Sequence, residues 1–156
     1  MKARVEGFIV CLSQETSDYS HFEQIIEGEI PLVFFDRVCL QDRVPTVVAD
    51  SFEVARGITR HFCENMAQRI VYISGPDYLN ISEERRLGYL QGLLDYGREF
   101  HATVVYPMLT SVVHPTKEMG KVAAQLFFEL TGNMNTPPKS VILKTKLIIR
   151  ESSIKH

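Results

Sequence analysis

Short, dense apolar runs alternate along the chain with longer segments in which apolar residues recur every three or four positions. GFIVCL (7–12) and PLVFFD (31–36) are too short for helices and rich in branched and aromatic residues, which predicts strands buried on both faces. Between them, HFEQIIEG (21–28) sets Phe22, Ile25 and Ile26 on one side and stops at a glycine, predicting a short helix. A brief extended run, TVVAD (46–50), leads into DSFEVARGITRHFCEN, where Phe52, Ala55, Ile58, Thr59 and Phe62 share a face and Asp50 or Ser51 serves as the cap. RIVYISG (69–75) is the next expected strand, and it feeds the amphipathic segment ISEERRLGYLQGLLDYG (81–97).

The second half continues the alternation. ATVVYPML (102–109) reads as a strand interrupted by Pro107, and a helix is expected from about Thr116 to Leu130, capped by Thr116 and stopped by Gly132. After the loop NMNTPPKS, the closing stretch VILKTKLIIRES carries apolar clusters at 141–143 and 147–149, either one strand or two broken near Lys144. Strand, helix, strand, helix, strand predicts the α/β class, with a parallel sheet flanked by helices. No internal repeat interrupts it.

Bulk composition narrows this reading. With 156 residues, 45% of them apolar, the chain is long enough for one packed core and short for two. Lys and Arg number 17 against 19 Asp and Glu, a net charge of -2 with no basic run, so this stretch is not expected to grip a phosphate backbone by itself. Cys11, Cys39 and Cys63 are far apart and set among apolar residues, which suits small buried thiols in a reducing compartment better than a disulfide framework. No apolar segment has signal-peptide form or membrane-spanning length, so the expected location is cytoplasmic, with no membrane partner.

In an open parallel sheet, ligands bind beyond the carboxyl ends of the strands, where loops vary and helix N-termini offer unpaired N–H groups. Three features sort there: the loop from Ser13 to Ser20, the pair Asp36 and Arg37, and the segment from Asp77 to Arg85. Asp36 accepts when ionised and Arg85 carries a rigid fork of donors, so together they suit a small polyhydroxylated or amide-bearing molecule. The plainer reading is that Asp36 caps a turn and Arg85 pairs with Glu84 or another carboxylate on its own helix. No glycine-rich phosphate loop follows a strand, the five histidines are scattered without metal-ligand spacing, and neither Ser74 nor Ser82 has a nucleophile-elbow context. Neither catalysis, nor a metal, nor a cofactor is therefore expected.

Six segments in order, VEGFIVCLS, IPLVFFDRV, VVADSFEVARGITRHF, RIVYISGP, SEERRLGYLQGL and LTSVVHPTKEMGKVAAQLFFEL, closely resemble the effector-binding core of the lactose-repressor and galactose-repressor family of bacterial transcription regulators. That core is similar to the periplasmic sugar-binding proteins. The resemblance implies a type I periplasmic-binding-protein-like fold of two α/β lobes, incomplete here, with a small effector held in the cleft between them. It places about 5–80 and 112–132 in the N-terminal lobe and about 81–106 and 140–153 in the C-terminal lobe. It also implies that Arg85, three positions before Gly88 in an RxxGY pattern, reaches the ligand, and that Asp36, ending the FFDR strand, lies near the same cleft; Ser13 completes the candidate set.

The same resemblance implies operator DNA as a partner of the full-length protein, through a helix-turn-helix headpiece that this stretch lacks, and a homodimer. Between REFHATVVY and PMLTSVVHP, where the family carries most of its C-terminal lobe, the two ends abut at Tyr106 and Pro107. The expected function is sensing of a sugar or nucleobase-like metabolite that controls DNA affinity, with a solute receptor of a sugar transporter as the alternative on the same fold.

Overall fold

A computed structural model describes residues 5–67, 70, 72–75, 78–97, 111–149 and 153. Its elements run β1 (Phe8–Val10), α1 (Ser20–Glu27), β2 (Leu32–Phe35), β3 (Thr46–Ala49), α2 (Ser51–Glu64), α3 (Asn80–Leu94), β4 (Ser111–Val113), α4 (Thr116–Gly132), β5 (Ser140–Leu143) and β6 (Lys146–Ile148). In place of the single core suggested by length, the chain forms two compact units, Met1–Ala49 with Pro115–Leu143 and Asp50–His114 with Lys144–His156.

The first unit is built on a parallel sheet of order β1-β2-β3-β5, the α/β arrangement expected from the alternation of runs and helices. Because side chains alternate across a strand, each apolar run feeds two cores. On one face Leu32, Phe34 and Val48 pack with Leu12 and with Phe22 of α1. The Phe22 and Phe34 rings meet edge to face, centroids 5.0 Å apart at 84°. On the other face Val33 and Val47 meet Met119, Ala123 and Leu126, which recur at helical spacing along α4. Parallel strands covered on both faces explain why these runs are continuously apolar and not alternating.

In the second unit α2 and α3 pack closely because glycines face the neighbouring helix. A Cβ at Gly88 would collide with the Phe52 carbonyl, and one at Gly92 would lie 2.6 Å from the Thr59 Cβ. Cys63, Tyr89 and Leu93 form the core beside them, with Tyr72 stacked on Tyr89 at 5.3 Å. Buried His61 bonds the Ser153 hydroxyl through Nε2 at 2.8 Å and so ties Ser153 to α2. β4 and β6 form a separate antiparallel pair.

Several local expectations change. The closing stretch is two strands, β5 paired with β3 in the first unit and β6 with β4 in the second. The lobe bounds read from the resemblance and the two units divide the chain differently at α2, which packs on α3, at β4, which pairs with β6, and at β5, which completes the first sheet. Residues 70 and 72–75 of the expected strand RIVYISG lie in no strand; Ile70 and Tyr72 pack on the α3 face instead. Asp50 occupies the N-cap position of α2 without a side-chain cap bond, and Pro115, not Thr116, is the cap residue of α4. The expected strand 102–109, with Tyr106 and Pro107, lies outside the described residues.

Candidate ligand site

The carboxyl ends of β1 and β2 are joined by backbone: the Leu12 N–H donates to the Arg37 carbonyl at 3.1 Å. Leu12 is buried, and past it the chain turns outward at exposed Ser13, whose hydroxyl accepts the Glu15 N–H at 3.2 Å. Asp18 closes the loop by accepting from the Ser20 N–H at 2.9 Å and the Ser20 hydroxyl at 3.0 Å, and these bonds hold its carboxyl below the usual carboxylate range.

Asp36 follows β2 in the left-handed region, φ 61°, an uncommon conformation for a residue with a Cβ. Its N–H donates to the Val47 carbonyl at 2.9 Å, anchoring the half-buried side chain at the sheet edge. Cys11 Sγ lies 3.9 Å from Asp36 Oδ2, as donor, and 3.7 Å from Arg37 Nη2, as acceptor. Ser13, Asp36, Arg37 and Cys11 thus share one edge of the first-unit sheet. Cys11 is half-buried, a correction to its expected burial, whereas Cys39 and Cys63 are buried as expected. Burial pushes the Cys39 thiol up to about 11.

Arg85 lies in the second unit, on α3, and is exposed. The carboxylate pair considered for it is made by its neighbour, since Arg86 Nε and Nη2 both reach Glu83 at 2.7 Å. Among the described residues Arg85 forms no ion pair. Burial raises the Glu84 carboxyl, and the adjacent Arg85 charge pulls it back in part. Asp77 lies outside the described residues.

A cavity of about 440 Å³ opens at the opposite, amino-terminal edge of the first sheet, lined by Ile26, Leu32, Val44 and Leu130 with Arg43 and Thr136. It lies away from the strand carboxyl ends, and Arg43 there pairs with Glu23 at 3.7 Å. Among the described residues no cluster of His, Cys, Asp and Glu could hold a metal ion, and no helix is long and apolar enough to cross a membrane. The carboxyl edge of the first sheet offers hydrogen bonding and charge: the Asp36 carboxylate, the Arg37 guanidinium and the Ser13 hydroxyl.

The family model for periplasmic binding proteins and the sugar binding domain of the LacI family matches residues 1–131. This chain belongs to that family. Membership agrees with the parallel sheet flanked by helices and with the resemblance carried by the six segments, and it places the chain among binding proteins and not enzymes. The maltose regulon regulatory protein MalI of Escherichia coli is 31% identical over 107 residues, 69% of this chain and 31% of that protein. The sucrose operon repressor of Klebsiella pneumoniae is 25% identical over 88% of this chain and 38% of its own length. The chain thus spans about a third of these curated LacI-family relatives. The solved structure of a transcriptional regulator CelR–cellobiose complex shares the fold at a TM-score of 0.81 and 22% identity, over 95% of this chain and 66% of that one.

Proposed function

We propose that this chain is the ligand-sensing part of a LacI-family transcription regulator that acts in the cytoplasm. Its two compact units are the elements of the family's two lobes, and Asp36, Ser13 and Arg85 contact a small polar metabolite, a sugar or a nucleobase. The observation that carries this reading is Asp36, held in a left-handed backbone conformation beside Arg37 at the carboxyl edge of a parallel sheet. Backbone strain of this kind clusters where a side chain is positioned for a ligand, and that edge is where open α/β sheets bind one.

A ligand shifts a regulator only through unequal affinity for two states. In the full-length protein, ligand binding controls operator affinity through a helix-turn-helix headpiece, and two copies meet two half-sites. Relatives named as a regulatory protein of the maltose regulon and a repressor of a sucrose operon favour a regulator over a transporter's solute receptor.

Calorimetry against a panel of sugars and nucleobases tests the reading. Asp36→Asn and Arg85→Ala are each expected to weaken binding by about 10–100-fold, the worth of one hydrogen bond to a charged group. Unchanged affinity in both variants would remove these residues from the site.

A further inference from the structure

We propose that the cavity at the amino-terminal edge of the first sheet is a second ligand site, one that takes an apolar α-amino acid in its zwitterionic form. The inference stands apart from the reading of the carboxyl edge and shares no residue with it.

The seat is apolar. Leu32 opens β2, Val44 leads into β3 and Leu130 lies in the last turn of α4; all three are buried, and together they line a space of about 440 Å³. That volume falls in the range of small-molecule sites. Walls of branched aliphatic side chains suit a hydrocarbon group better than a sugar ring, whose hydroxyls would lose water there without gaining partners. Ile30 and Met134, 36% and 42% exposed, line the same space, so its apolar surface continues from floor to mouth.

Charge fixes the rest of the ligand. Arg43 and Glu29, opposite in sign and both exposed, line the cavity as well. Among the described residues the Arg43 guanidinium makes one ion pair, with Glu23 at 3.7 Å, and both side chains are nearly half exposed. The pair is too long for a hydrogen bond, so the fork of donors stays open to a carboxylate that it can grip with two bonds.

Glu29 supplies the second charge. It sits just past α1 at φ 52°, where the Ile30 N–H closes the helix end on the Ile25 carbonyl at 3.1 Å. The left-handed residue of such a turn is ordinarily glycine. Here the glycine, Gly28, stands one place earlier and a carboxylate takes the left-handed position, which the turn by itself does not call for.

An α-amino acid carries both charges on the carbon that bears its side chain. Its carboxylate meets Arg43, its ammonium meets Glu29, and its side chain enters the apolar seat. A simple anion would leave Glu29 opposing it, and an uncharged hydrocarbon would use neither group.

Leucine, isoleucine and phenylalanine are titrated into the full chain by calorimetry up to about 10 mM, above a weak dissociation constant of about 1 mM. Glycine lacks the side chain, N-acetylleucine the ammonium and leucinamide the carboxylate. At least one of the three apolar amino acids is expected to bind, and each control to bind more weakly. Arg43→Gln and Glu29→Gln should each weaken binding about 3–30-fold, since charged contacts at an exposed rim are worth less than buried ones. Glu29→Gly should weaken it too while raising the melting temperature, because glycine takes a left-handed backbone without strain. A purely structural Glu29 would give a lower melting temperature instead. In methyl NMR spectra the ligand should shift Ile30 and Leu130 and leave Leu12, at the other edge, in place.

Failure of all three amino acids to bind overturns the proposal, as does equal binding of glycine, N-acetylleucine or leucinamide. Binding lost in Asp36→Asn and kept in Arg43→Gln would move the amino acid to the carboxyl edge and overturn the second site as well. Failure of sugars to depend on Asp36 or Arg85 leaves this cavity untouched, so the two readings fall separately.

Discussion

Asp50 Oδ1 accepts the backbone N–H of Thr145 at 2.8 Å, and Asp50 Oδ2 lies 3.5 Å from the Lys144 ammonium. A side chain at the N-cap position of α2 thus serves a strand lead-in 95 residues away and not its own helix. Only 10% of that side chain is exposed, against 80% for Lys144, so the ion pair is weak and the backbone bond dominates. Asp50→Ala leaves the Thr145 N–H without its acceptor, and the expected loss is about 1–3 kcal/mol by urea denaturation. Asp50→Asn keeps an acceptor and should lose less; Lys144→Ala should stay within about 0.5 kcal/mol of wild type. Equal losses in all three would mean that the charge, and not the backbone bond, matters.

The α2–α3 contact makes a sharper prediction. A methyl group at Gly88 meets the Phe52 backbone carbonyl, which cannot turn aside as a flexible side chain would. Gly88→Ala should therefore destabilise by about 1–3 kcal/mol through overpacking, despite the better helix propensity of alanine. At Gly57, on α2, an added Cβ meets nothing within 4 Å. Gly57→Ala should stabilise by up to about 1 kcal/mol. Thermal melts of the two variants should move in opposite directions.

In the first unit the same logic turns on Phe34, which is fully buried against Phe22. Phe34→Ala should cost about 3–5 kcal/mol, while Phe34→Leu, which keeps most of the volume, should cost less. A loss under about 1 kcal/mol in the alanine variant, read by denaturant midpoint, would mean that this core is not packed as described.

What was legible in the sequence tracks how local each cause is. β2 and β3 announce themselves because strands buried on both faces need consecutive branched and aromatic residues, as LVFF and TVVA supply. β4 escaped notice, since three residues carry no periodicity and its partner, Lys146–Ile148, lies far along the chain. The break between β5 and β6 stayed undecided because it shows only in their different pairing partners, β3 and β4, and in the Asp50 bond to Thr145 between them, all tertiary contacts. Asp36 and Ser13 stood out as polar residues just past apolar runs. The role of Cys11 did not: a lone thiol in GFIVCL reads as core, and its place between Asp36 and Arg37 depends on the pairing of β1 with β2.

On the second unit's surface, Asp95 accepts from Arg56 Nε at 2.7 Å and from Gln91 Nε2 at 2.9 Å. The Arg56 bond, then the Gln91 bond, holds the Asp95 carboxyl below its ordinary value of 3.8. Unfolding releases it to that ordinary value, so near pH 4 the unfolded chain binds more protons here than the folded one. The stabilisation from this carboxylate is thus complete above the ordinary value and disappears as pH falls through the depressed one. Asp95→Asn should lower the melting temperature slightly at pH 7, and the gap from wild type should close as pH drops below about 4. Because the pair is partly exposed, 0.5 M salt should shrink the neutral-pH gap as well. A gap that survives at acid pH would assign the effect to lost packing, and one that grows there would reverse the sign argued here.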